Sequence, residues 1–275
     1  MAATSPGAVI AIVKQLGVER KIATIVEAEA SLNDATSIVL FVIFSGAILG
    51  EETSFSWAIF SFLKLFFGGL VVGALLSLLV GFFLETFNMQ EYSVYLSLVI
   101  FWAAYSVAEL LTASGATAVV ASGLVLGEVL KKPVFSTWRE KVLDFWSNIA
   151  FLAQSVIFLV LGAGFSISII ASVWLQATMI ILLLFFVIRP ISVLVATHFE
   201  KKLTRNEKLF LSWMGARGAV PAALAASAIG LGISEAHQIF NTVLVVVLSS
   251  LLLTGFATRK IAKVTLTIPS VSKKS

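Results

Sequence analysis

From Glu27 to Asp34 the chain reads EAEASLND, and it then runs uncharged through ATSIVLFVIFSGAILG to Glu51. A carboxylate beside a few neutral oxygens is the donor set that a bare cation or a proton would accept, and Asp34 with Asn33 offers one. On a helix, Ala30 and Ser31 lie four and three positions before Asp34, and Ile38 lies four after it. Asp34 therefore faces a small, partly hydroxylated surface. Asn33 is turned from it by about 100° and can supply a carbonyl oxygen or brace the backbone. A plainer reading also exists, because Asn or Asp ahead of an apolar run is a common helix N-cap.

Arg217 stands in SWMGARGAVPAALAAS, among small residues and four positions before Pro221. Gly and Pro weaken a helix and free backbone carbonyls, and secondary transporters build ion sites from such interrupted helices. An arginine there needs an anion, and Glu29 is the expected partner; the alternative is a side chain reaching back to the cytosol. Thr4-Ser5-Pro6 breaks the first apolar stretch in the same way. Gln154 and Ser155 form a polar pair in an apolar run, read as interhelical hydrogen bonding or, second, as lining. Glu109 reads as an interfacial residue, and Lys64 and Arg189 as snorkelling or structurally paired. A hydrolase is set aside because neither His198 nor His237 falls at mid-membrane, where a general base would have to stand.

The elements that must carry these residues follow from composition. Hydrophobic residues are 59% of the 275 and charged residues 12%, with a mean hydropathy of +1.03. A soluble domain carries roughly 25% charged residues, so the solvent of this chain is lipid. There is no cysteine, hence no disulfide framework or thiolate metal site. A net charge of +4 gives no reason to expect nucleic acid. A crossing helix needs about 20 apolar residues. Windows near 30–49, 56–84, 92–112, 114–130, 143–165, 167–198, 207–231 and 239–258 predict eight spans, after a shorter apolar stretch at the start. Basic clusters at 14–21, 131–141, 201–208 and 259–274 all fall on one side of that arrangement, which places them and the C-terminus in the cytoplasm. The expectation is a single all-α transmembrane domain over 1–275, a polytopic helix bundle in the cell membrane.

Five stretches in order resemble the sodium/proton antiporters of the NhaP and NHE type, within the cation:proton antiporter superfamily. Glu27-Ala28-Glu29-Ala30-Ser31-Leu32-Asn33-Asp34-Ala35 is similar to E-G-E-S-L-x-N-D-A, and Thr4-Ser5-Pro6-Gly7-Ala8-Val9 to T-D-P-x-A-V. Ser114 to Gly123, Phe151 to Gly162 and Trp213 to Ala222 resemble three further motifs, the last W-x-G-x-R-G-A-V. The resemblance implies the C-terminal part of an inverted-repeat fold with broken, crossing helices, its N-terminal helices missing. It implies exchange of Na+, Li+ or K+ for H+ by alternating access, electroneutral for an Asn-Asp pair, with no cofactor and a homodimer as the assembly. Asp34 would bind Na+ or the proton, with Asn33, Ser31, Thr4 and Ser5 around it; Glu29 and Arg217 would brace the site, and Gln154 and Ser155 would line it. The chain departs from the pattern where Ser5 replaces the aspartate of T-D-P, where Ala30 replaces a serine, and where Gln154 replaces an asparagine. A membrane subunit that keeps the fold without transporting is the alternative that Ser5 raises.

Overall fold

The computed structural model describes residues 20–50, 54–163, 167–198, 200, 203–215 and 217–265. Ten α-helices follow one another among them: α1 Arg20–Ile48, α2 Phe55–Thr86, α3 Ser93–Leu110, α4 Gly115–Val129, α5 Ser136–Ala163, α6 Ile167–Leu183, α7 Arg189–Ala196, α8 Arg205–Trp213, α9 Ala219–Gly230 and α10 Ala236–Thr265. Among the described residues six stretches are long and apolar enough to cross a membrane, while Gly115–Val129 and Ala219–Gly230 are shorter apolar helices. Large apolar side chains such as Phe44, Phe60, Trp102 and Phe151 are exposed along the long helices. In hydrocarbon that surface costs nothing, and helices close through small residues and backbone contact instead.

The helices pack as two compact units, residues 35–156 and residues 1–34 with 157–275. Helices α1 and α5 each contribute to both.

Within the first of these units α2 and α4 lie in backbone contact. A Cβ added at Gly69 would come within 1.8 Å of Thr117 Oγ1, and one at Gly73 within 1.9 Å of the Ala118 carbonyl oxygen. Glycine is what lets the two backbones approach so closely. Ser77 Oγ donates to the Ser122 carbonyl at 2.8 Å, and Trp146 Nε1 donates to Ser97 Oγ at 2.9 Å. Glu109 is a helix cap here, because its carboxylate accepts the Gly115 N–H at 2.9 Å and so satisfies a donor at the start of α4.

In the other unit the apolar cluster Ile22, Val26, Val193, Phe210, Leu211 and Met214 ties the start of α1 to α7 and α8. Ala177, Leu184 and Val246 join α6 to α10, and Ala225, Val243 and Val247 join α9 to α10. Helix α8 starts on a capping box: Thr204 Oγ1 accepts the Glu207 N–H, and Glu207 Oε2 accepts the Thr204 N–H at 2.6 Å.

The window 207–231 is not one span. Helix α8 ends at Trp213 and α9 begins at Ala219, with Met214 capping the first in a non-helical conformation and Gly218 extended before the second. Gly215 and Gly218 remove helix propensity on both sides of Arg217. Pro221 falls in the first turn of α9, where an N–H has no intrahelical partner to lose.

Candidate functional site

Helix α1 brings Glu29 and Asn33 onto one face, one turn apart, and Asn33 Nδ2 donates to Glu29 Oε1 at 2.9 Å. That bond uses one of the two amide N–H groups and turns the Asn33 carbonyl oxygen away from Glu29, as the end that can accept a cation. Asp34 follows in mid-helix, so it is no N-cap, the plainer reading offered above. Its Oδ1 is buried and has no hydrogen-bond partner among the described residues. Ala30 is buried beside it and Ser31 is half-buried.

The second half of the site comes from the segment Ile167–Ala196. Its winding changes to a π-helix over Leu184–Ile188 immediately before Arg189-Pro190. Proline cannot donate to the preceding turn, and a π turn is a common way to absorb that loss. Phe186 and Val187 are exposed, whereas Arg189 is only 6% exposed. Its Nη1 and Nη2 both bond the Glu29 carboxylate, the second at 2.9 Å to Oε2. Nη2 also donates at 2.6 Å to the Met214 carbonyl, at the end of α8. An unpaired carbonyl at membrane depth costs several kcal/mol, and Arg189 removes that cost at the break.

Arg189 thus supplies a fork on Glu29 that the sequence did not lead one to expect, beside the Arg217 expected there. A guanidinium flanked by apolar residues gave no sign of a partner 160 positions away. Arg217 is 4% exposed and close enough for its charge to interact with those of Arg189 and Glu29. Its backbone N–H donates to Ser250 Oγ of α10 at 3.0 Å. Ser250 was not singled out in the sequence, because a serine in an apolar helix does not announce what it faces.

These groups meet at a cavity of about 530 Å³ lined by Glu29, Asn33, Arg189, Ser192, Thr197 and Arg217 with apolar neighbours. Asp34 is not among the lining residues. Gln154 and Ser155 belong to the unit 35–156, where the Ser155 hydroxyl is spent on the Phe151 carbonyl at 2.8 Å. Thr4 and Ser5 lie outside the described residues.

A polytopic helical membrane protein with an interrupted helix and a buried carboxylate–guanidinium cluster is the class that this fold and site define. The chain belongs to the sodium/hydrogen exchanger family, whose transmembrane model matches residues 1–264. It is 32% identical over 272 residues to the Na(+)/H(+) antiporter NhaH of Halobacillus aidingensis, covering 96% of this chain and 66% of that protein. It is 33% identical over 278 residues to the low-affinity Na(+)/H(+) antiporter NhaS1 of a Synechocystis strain, covering 96% and 52%. The chain therefore spans between half and two thirds of the length of these relatives. The fold matches that of the sodium proton antiporter MjNhaP1 of Methanocaldococcus jannaschii with a TM-score of 0.79 at 23% identity, over 97% of this chain and 68% of that one.

Proposed function

We propose that the protein exchanges a monovalent cation, Na+ first, for a proton across the cell membrane. Asp34 binds either the cation or the proton and never both, and only the loaded states cross. Competition for one carboxylate is then the coupling, and alternating access is the motion it requires. Asn33 contributes a neutral oxygen, and the Glu29–Arg189 pair holds that asparagine and the broken helix in place. With Asn rather than a second carboxylate beside Asp34, one charge is exchanged for one, and the cycle is electroneutral. A homodimer in the plasma membrane completes the reading, on the resemblance to the family.

The observation that carries it is Asp34 itself: a carboxylate in a membrane-crossing helix whose buried Oδ1 has no described hydrogen-bond partner. Burying an ionised carboxylate without a partner is costly enough that neutralisation by a proton or a cation is the expected outcome. Support also comes from the relatives, which are named as Na(+)/H(+) antiporters.

The test is dissipation of a proton gradient in everted vesicles from antiporter-deficient cells, with Na+, Li+ and K+ added in turn. Dissipation by the wild type and none by an equally expressed Asp34→Asn protein is the expected result. Exchange that survives Asp34→Asn would remove Asp34 from its role. No exchange by a well-expressed wild type across a range of pH would favour the non-transporting subunit that Ser5 raises.

A further inference from the structure

The interruption between α8 and α9 is held at Met214 by Arg189 and at Arg217 by Ser250, a residue of α10 in a stretch without charge. Ser250 is fully buried on α10. A serine hydroxyl has one proton to give, and here it goes to the Val247 carbonyl at 2.9 Å, on the preceding turn of α10. The oxygen lone pairs are thereby aimed away from α10, and one accepts the Arg217 N–H at 3.0 Å. Two turns along α10 from Ser250, Thr258 Oγ1 contacts Met214 Sδ at 3.8 Å. One polar stripe of α10 thus touches both ends of the interruption, at Met214 and at Arg217.

We propose that Ser250 is a positioning residue for the exchange site: by accepting the Arg217 N–H it fixes where the Arg217 guanidinium enters the cavity that Glu29, Asn33 and Arg189 line. Arg217 falls between the two helices, and its N–H takes a partner from a third helix, α10, so that contact bears on where its side chain starts. A guanidinium moved along the cavity wall changes the field at Glu29 and Asn33 without any change in the residues that touch an ion. This inference rests on the antiport reading for its consequence, but its geometry can be tested apart from transport.

The chain has no cysteine, so a single Ser192→Cys, on the cavity wall, reports access by its rate of reaction with a water-soluble thiol reagent. Ser250→Ala and Ser250→Thr are placed in this background and, separately, in the wild type for exchange measurements. Ser250→Ala is expected to change the labelling rate several-fold, raise the half-saturating cation concentration by about tenfold, and shift the pH profile of exchange. Ser250→Thr, which keeps the hydroxyl, restores all three towards wild type. Labelling and half-saturation in Ser250→Ala that match the wild type would overturn the proposal, as would a Thr variant no better than Ala. A labelling change rescued by Thr in a chain that exchanges no cation in any form would sustain the positioning role and sink the antiport reading instead.

Discussion

Arg189 places both of its terminal nitrogens on the Glu29 carboxylate, across 160 positions of sequence. The same guanidinium holds the Met214 carbonyl, so one side chain ties α1, α7 and the interrupted helix together. Removing one partner of a buried pair costs roughly 3–5 kcal/mol. Glu29 keeps a side-chain exposure of 29%, which puts Arg189→Ala at the low end, about 3 kcal/mol. Melting of detergent-solubilised Glu29→Gln, Arg189→Gln and the double variant checks this. A coupling above about 1 kcal/mol is expected; additivity within ~0.5 kcal/mol would mean the pair contributes no net interaction. Arg189→Lys keeps the charge but loses the fork, and should recover only part of the stability.

Electroneutral exchange predicts a rate that ignores the membrane potential. One uncompensated charge moving through 100 mV is worth about 2.3 kcal/mol, or roughly a 50-fold change in rate if it moved in the limiting step. Wild-type protein in vesicles with an imposed potential should exchange at the same rate at either polarity. A clear dependence on polarity would mean that more than one proton is carried for each cation.

Two glycine sites should respond in opposite directions. Gly73→Ala drives a methyl group into the Ala118 backbone, and should cost at least 1–3 kcal/mol, since backbone cannot move aside as a side chain can. Gly123→Ala, on α4 but with nothing within 4 Å of the added carbon, should be neutral or stabilising by up to ~1 kcal/mol. Thermal stability of the two purified variants decides it, and equal gains would show that helix propensity rather than contact dominates.

Acid should weaken the start of α8. The Thr204 backbone N–H, bonded to Glu207, holds that carboxyl below the usual glutamate range. A carboxyl depressed on folding contributes stability that is fully present above its unfolded value and is lost as the pH falls through its folded value. Thr204→Ala should cost about 1 kcal/mol at neutral pH. Glu207→Gln should flatten whatever part of the stability falls away below the ordinary glutamate range. Melting temperature against pH reads both, and identical acid limbs for wild type and Glu207→Gln would remove this box from the acid response.

The sequence made the site legible where its residues are neighbours on one helix. Glu29, Asn33 and Asp34 are within five positions, and helical spacing alone puts Glu29 under Asn33. The break around Arg217 was visible because Gly215, Gly218 and Pro221 each leave a backbone signature, although the window 207–231 was read there as a single span. Arg189 and Ser250 were not legible as partners. Their roles depend on which helices are adjacent, and an apolar run of Leu, Phe, Val and Ile carries no record of what it packs beside. Lipid on one face and protein on the other both select apolar residues, so the periodicity that reveals a core in water is muted here.

The π turn at Leu184–Ile188 gives the Glu29 bond a dependence on counting. Each residue of a helix turns its successors by about 100°. Rewinding that turn as ordinary α-helix with all five residues kept would swing Arg189 by close to one residue's rotation round the helix axis and away from both Glu29 and Met214, because a π turn holds one residue more than an α turn. The joint between the carboxylate helix and the interrupted one is therefore set by the winding upstream of it as much as by the arginine, and a rewinding among apolar side chains would uncouple it.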